Sequence, residues 1–266
     1  NYNVVVGDEA GTAITTGDQN VAIGFESLKT EDTGSRNTAV GAYTLNVLNN
    51  DAQSYNTAMG YAAGLSVTTG VQNTLIGGLA GDALTDADFN VAMGYAALSA
   101  DTLGSNSTAI GWSALAAQNF TSATLSYNTA VGFKAGLSVT TGVNNTLIGG
   151  LAGDALTIGG NNVAIGRDAL GAETTGQSNI AIGRLALGSQ NNTGSPNTYN
   201  IGIGTQAGYA VTTGTNNTLI GGLAGDALTT GSYNNAFGHA SLSAATTGEQ
   251  NAAFGRYSLN LNTTGS

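Results

Sequence analysis

The sequence predicts an all-β protein, a parallel β-solenoid (β-roll) of about fifteen 17-residue coils. Three observations predict it. Asn-x-apolar-apolar-Gly returns fifteen times in 266 residues, with Ser107 replacing Asn once, and 11 of the 14 spacings are 17 residues, the others being 19, 21 and 21. The closing glycine is present in every copy, from Gly7 to Gly255. The 41 glycines, spread through every copy, would cost about 1 kcal/mol each in helix interiors, which excludes a helical repeat. A fixed short period read end to end is one supersecondary unit stacked on copies of itself.

Numbering each unit from its Asn justifies the elements in order. Position 1 is Asn20, Asn37, Asn56, Asn73, Asn90, Asn128, Asn145, Asn162, Asn179, Asn200, Asn217, Asn234 or Asn251, besides Asn3 and Ser107. This column reads as a structural ladder, each side-chain amide bonding to the next. Position 2 is Val, Ile or Thr in 13 copies and position 4 is apolar in all 15, so a short strand is expected with positions 2 and 4 as its inner face. The invariant glycine at position 5 fits a bend or a close backbone approach. Position 8 is small and position 9 is Leu or Gly, which suggests a second short apolar strand, with Tyr-Ala-Ala-Leu at 95–98 as a lesser candidate for one helical turn. Thr-Thr-Gly, as at 15–17 and 174–176, then reads as a turn whose glycine supplies positive φ. Stacked at strand spacing, fifteen such coils span roughly 70 Å.

A second period of 72 residues is superposed. Residues 64–85 recur at 136–157 with one change, Gln72 against Asn144, and more loosely at 208–229. One repeat domain over 1–266 is therefore expected, with super-repeats 56–127, 128–199 and 200–266 after a partial block 1–55. The extra residues fall in 116–127 and 188–199, with a shorter counterpart at 46–55. Insertions in a solenoid gather on one face, often its binding face. Tyr55, Asn119, Phe120, Tyr127, Asn192 and Tyr199 are the candidate contact residues there. Trp112 joins them from position 6, a column that also holds Phe25, Tyr61, Tyr95, Phe133, Arg167, Arg184, His239 and Arg256. Ring faces and guanidinium groups suit carbohydrate.

Composition narrows the partners. Charged residues are 8% of the chain and the net charge is -10, from 16 acids and six bases. Six bases cannot neutralise a phosphate backbone, so nucleic acid is not an expected partner. No apolar run approaches the length of a membrane span, and membrane insertion is not expected. The absence of cysteine excludes disulfides and thiolate metal sites. The chain begins at Asn and shows neither a signal peptide nor an obvious solenoid cap, so it reads as a mature product, a segment of a longer fibre, or a unit that stacks end to end.

The motifs NVAIG (20–24 and 162–166) and NIAIG (179–183), each followed by a small residue and Leu, resemble the head repeats of YadA-like trimeric autotransporter adhesins. They resemble equally the repeats of bacteriophage tail-fibre proteins. The resemblance covers essentially the whole chain and implies an extracellular, cell-surface or virion fibre, a trimeric β-roll that displays binding surfaces for host molecules. The chain departs from the adhesin pattern in its longer coils and periodic loops. A side-by-side homotrimer is expected on physical grounds too, since each coil offers few inward apolar side chains and three packed rolls would bury more.

Catalytic, cofactor and metal sites are not expected. His239 is the only histidine. Asp82, Asp154 and Asp226 recur in Ala-Gly-Asp-Ala-Leu but lack calcium β-roll spacing, and read as solvated turn carboxylates. The expected function is a fibrous structural and adhesive protein whose partners are itself and cell-surface glycans or proteins. The alternatives are a filament or sheath subunit with no ligand and, behind it, an ice-binding protein.

Overall fold

In the computed structural model, which describes residues 2–193 and 197–265, every repeat Asn or Ser107 is followed by a three-residue β-strand. The fold is a parallel β-solenoid, and no helix occurs among the described residues. The chain divides into two units, residues 1–128 and 129–266. In the first unit, seven strands from Val4–Val6 to Thr108–Ile110 pair in parallel, each with the next. In the second, eight strands from Thr129–Val131 to Ala252–Phe254 do the same. Equal positions lie opposite one another, as Val21 opposite Thr38 and Ile180 opposite Ile201.

The strands are short, but bonding between coils runs far beyond them. Position 2 donates its N–H to position 1 of the next coil (Val21 to Asn37 O, 2.8 Å), and position 9 to position 8 of the next (Leu28 to Thr44 O, 3.0 Å). Positions 13 and 15 share one carbonyl there, as Thr68 and Gly70 do with Thr85 O. Positions 5, 7 and 17 donate backward instead, as Gly41 to Ile23 O and Tyr43 to Phe25 O. Position 7 is left-handed in every coil, from Glu9 (φ 55°) to Tyr257 (φ 59°), and position 9 is left-handed whether it is Leu or Gly.

This conformation corrects two expectations. Positions 8 and 9 form no strand, and Tyr-Ala-Ala-Leu at 95–98 forms no helical turn, because Ala96 (φ 53°) and Leu98 (φ 55°) are left-handed within an intercoil-bonded turn. The glycine of Thr-Thr-Gly also differs from expectation, since it takes no positive φ. It is required by stacking: a Cβ on Gly142 would lie 2.3 Å from Gly159 O. The glycine at position 5 combines both demands, with φ near +133° and, at Gly166, a Cβ 2.6 Å from Gly183 O.

The expected inner face is reversed. Position 3 points inward and is fully buried in almost every coil, as at Ala22, Leu75, Leu147 and Ala181, while positions 2 and 4 face outward and are partly or fully exposed. Alternation along a strand places 2 and 4 together but does not say which side is inside. Space decides it. The interior holds one Ala, Gly or Leu from position 3 beside the side chains of positions 9 and 12, and β-branched residues at both 2 and 4 would overfill it.

The core also explains the 72-residue period. Coils with Leu at position 3 (Leu75, Leu147, Leu219) carry Gly at position 9, in themselves and in the preceding coil. A Cβ on Gly81 would lie 2.8 Å from Leu75 Cδ2, and one on Gly64, a coil earlier, 2.8 Å from Leu75 Cδ1. Coils with Leu at position 9, such as Leu28 and Leu45, carry Ala at position 3. Two Gly-type coils alternate with two Leu-type coils along the chain, which makes four coils per period.

The asparagine column is a ladder of mixed construction. Each Oδ1 accepts the backbone N–H of the next coil's Asn, as Asn20 Oδ1 from Asn37 N (2.9 Å) and Asn162 Oδ1 from Asn179 N (3.0 Å). In most 17-residue coils Nδ2 donates across its own coil to position 15, as Asn20 to Gly34 O (2.8 Å) and Asn217 to Gly231 O (2.9 Å), whereas Asn37 and Asn179, which open long coils, donate to Ser35 O and Gln177 O just before them. The expected amide-to-amide bond is a third leg, present for example from Asn234 to Asn217 (3.1 Å). A buried carboxamide thereby satisfies backbone groups in two coils at once.

Candidate functional site

The three long coils, 37–55, 107–127 and 179–199, all take their extra residues late in the coil, between positions 9 and 17. Residues 194–196 of the last loop lie outside the described residues. Most coils bury an apolar side chain at position 12, such as Val67, Leu84 or Leu156, but the coil before each long one buries an acid there: Glu31, Asp101 or Glu173. Asp101 Oδ1 accepts from Gly104 N and Phe120 N (both 3.1 Å), and Oδ2 from Gln118 Nε2 (2.6 Å). Glu173 Oε1 accepts from Gly176 N (2.7 Å) and Asn192 N (3.1 Å), and Oε2 from Gln190 Nε2 (2.9 Å). Glu31 binds Gly34 N (2.7 Å) and Asn50 N (3.3 Å). Gln118 and Gln190 pass the network on to the ladder, accepting from Asn128 and Asn200 Nδ2 (both 2.9 Å).

The chemistry of these carboxylates is local. Extra residues pull the loop backbone out of intercoil register, so its N–H groups lose their carbonyl partners. A buried carboxylate replaces those partners with charge-assisted bonds. Burial pushes the Glu31 carboxyl up from its ordinary value.

This network corrects part of the expected contact surface. Phe120 and Asn192 are each only 5% exposed, because their own N–H groups are the ones that Asp101 and Glu173 hold inside. Asn119 is exposed and accepts from Thr102 Oγ1 (3.2 Å). In the first unit the loop continues into a second parallel pair, Gly104–Ser105 with Thr124–Leu125.

Tyr55, Tyr127 and Tyr199 share a register that the loops obscured, for each directly precedes a repeat Asn and so occupies position 17. Phe89 and Tyr233 occupy the same column, in coils without insertions, and the sequence reading missed them. All five are 45–56% exposed, and all five are left-handed, with φ between 48° and 62°. Aromatic residues fall on every second coil from Tyr55 through Phe89 to Tyr127 in the first unit and from Tyr199 to Tyr233 in the second, while Tyr2, before Asn3, stands three coils ahead of Tyr55 and Asn161 interrupts the alternation after Tyr127. Carboxamides fill the coils between them: Gln72, Asn106 and Asn216. Backbone bonds hold the column, as Gln72 N to Ser54 O (2.7 Å) and Phe89 N to Val71 O (3.1 Å). Tyr55 also meets Arg36, whose guanidinium carbon lies 5.3 Å from the ring centre, and donates its hydroxyl to Gln53 Oε1 (2.8 Å).

The position 6 strip is built differently. Tyr95 and Trp112, both exposed, stack with ring centres 6.5 Å apart and planes 14° apart. Phe25, Tyr43 and Tyr61 meet edge to face, using position 7 as well. In the second unit, Arg167 pairs with Asp168 (3.3 Å), and His239 meets the edge of Tyr257 at 5.6 Å.

Asp82, Asp154 and Asp226 are not the solvated carboxylates expected. They are partly buried, Oδ1 of Asp82 and of Asp226 has no hydrogen-bond partner, and burial pushes all three carboxyls up. Among the described residues no cluster of three or more His, Cys, Asp or Glu could hold a metal ion, and no helix is long and apolar enough to cross a membrane. No protein-family model, curated protein or solved structure matches the chain.

Proposed function

We propose that this chain is an extracellular fibrous structural and adhesive protein, a repeat spacer that assembles with copies of itself and presents its loop edge and aromatic columns to cell-surface glycans or proteins. The observation that carries this reading is the outward face of the strands. Position 4 exposes a row of aliphatic and methionine side chains, among them Ile23, Met59, Met93 and Ile148, beside Val, Ile or Thr at position 2 in most coils, that a single chain leaves in water. Contiguous apolar rows on that scale favour association. Three copies packed side by side would cover them, consistent with the resemblance of NVAIG and NIAIG to trimeric adhesin and tail-fibre repeats.

Sedimentation or light scattering of the purified protein tests the assembly. A trimer that dissociates when Met93 and Ile148 are replaced by Lys supports the reading, and a monomer at every concentration defeats the side-by-side arrangement. A filament or sheath subunit is the second reading, favoured by the in-register bonds that any open coil offers to another copy. Electron microscopy separates the two, since end-to-end growth gives particles much longer than one chain can span. Ice binding fits less well: the outward threonines at position 2, such as Thr57 and Thr74, stand beside aliphatic residues at position 4 and form no Thr-x-Thr rows. A thermal hysteresis assay is expected to be negative.

A further inference from the structure

We infer that the position 17 column of the first unit, from Tyr55 to Tyr127, is a binding track for a linear β-1,4-linked polysaccharide lying along the coil axis. The inference deepens the adhesive part of the proposed function and is independent of the assembly part. Its first ground is spacing. Parallel coils repeat at about 4.8 Å, so aromatic residues on every second coil stand about 10 Å apart, and Tyr55 to Tyr127 covers about 19 Å. In a β-1,4-linked chain each pyranose advances by about one such coil and is flipped relative to its neighbour, so every second sugar offers the same apolar face. Tyr55, Phe89 and Tyr127 then stack on alternate sugars, while Gln72 and Asn106 meet the hydroxyl edges of the sugars between.

The second ground is conformational cost. Position 17 is left-handed in every coil that has one, a conformation that Asn tolerates and that bulky residues rarely adopt. Asn106, Asn144, Asn161 and Asn216 follow that preference. Phe89 (φ 60°), Tyr127 (φ 48°) and Tyr233 (φ 62°) go against it with rings that bury no core and stand half in water. The left-handed backbone comes from bonding between coils, as it does at positions 7 and 9; what sets these three apart is that solvent-facing rings occupy it where Asn would suit it better. The track is also stiff, because backbone bonds fix it to the preceding coil and buried acids anchor the long coils that end in Tyr55, Tyr127 and Tyr199. A stiff track binds without ordering cost.

Titration with cellohexaose and chitohexaose tests the inference, with maltohexaose as the α-linked control whose chain does not run straight. The first two sugars share the linkage and differ in N-acetylation, which tells the two sources apart. The expected result is binding of at least one β-linked hexamer, roughly tenfold tighter than its trimer because a third ring is engaged, and no binding of maltohexaose. Phe89→Asn and Tyr127→Asn suit the left-handed backbone, so the variants keep the fold. Each should weaken the hexamer about tenfold, while Ile158→Ala, at an exposed side chain off the column, should not. Equal binding of maltohexaose, unchanged affinity in Phe89→Asn, or a change of oligomeric state in place of affinity overturns the track. If the β-linked hexamers fail but other glycans on a broad panel bind, the track falls and the adhesive reading stands. If nothing on the panel binds, glycan adhesion falls with it.

Discussion

Exchanging the two core residues of one coil tests the packing rule that generates the 72-residue period. Leu75→Ala removes a fully buried isobutyl group and leaves a hole beside Gly64 and Gly81, at a cost of about 3 kcal/mol. Gly81→Leu has the opposite fault. Its Cβ would lie 2.8 Å from both Leu75 Cδ2 and Leu84 Cδ1, and overpacking with a left-handed leucine costs about 3 kcal/mol. Together, the two substitutions put alanine at position 3 and leucine at position 9 of a coil that already has Leu84 at position 12. That is the arrangement present in the protein as Ala39, Leu45 and Leu48, all fully buried, with Leu45 at φ 47°. The double variant should therefore be far more stable than the sum of its parts, with a favourable coupling of about 3 kcal/mol, at the top of the range for touching residues. Urea unfolding followed by far-ultraviolet circular dichroism on the four proteins of the cycle measures this coupling. A double variant that loses the sum of the two single losses, within about 0.5 kcal/mol, refutes size complementarity between positions 3 and 9 as the cause of the four-coil period.

Other consequences are equally direct. Asp101→Ala strips Phe120 N and Gln118 Nε2 of their buried partner, so it should cost about 3 kcal/mol and speed proteolytic cleavage within 116–127, whereas Asp82→Ala, which removes a carboxylate short of partners, should cost nothing. Gly166→Ala forces a Cβ to 2.6 Å from Gly183 O at φ +133°, and should abolish the cooperative melt of its unit or lower its midpoint far more than the exposed Asn161→Ala does. Burial raises the carboxyls of Glu31, Asp82, Asp154 and Asp226 in the folded chain, so the stability they contribute is fully present below about pH 4 and is lost as pH rises through their folded values. Melting temperature should therefore rise on acidification from pH 7 toward pH 4, and a steady fall over that range would contradict the assignment.

The coil length, the strand at positions 2–4 and the stacking glycine were legible in the sequence because each is a column of one residue type. The inward side was not, because positions 2, 3 and 4 are all apolar or small and alternation has no sign. The left-handed turn at position 7 carried no local mark and that at position 9 only a mixed one, Gly in seven coils and Leu in eight, since Glu26, Tyr43 and Leu28 are not residues that favour positive φ and bonding between coils imposes it. Phe120 and Asn192 looked exposed because an insertion suggests solvent. The opposing signal was present one coil earlier, where Asp101 and Glu173 interrupt a column of Val and Leu. Phe89 and Tyr233 were equally readable, as aromatic residues standing directly before a repeat Asn.

The pairing of coil types restricts how such a chain changes length. A coil with Leu at position 3 needs a glycine-bearing coil before it, as Leu75 needs Gly64, and a long coil needs an acid-bearing one, as 107–127 needs Asp101. Loss of a single coil ahead of either leaves a collision or an unanchored loop. Duplication or loss of a whole four-coil block leaves every neighbour matched. Growth by recombination is thus quantised, in steps of 72 residues that add about 19 Å each, and the near-identity of 64–85 with 136–157 is the trace such a step leaves.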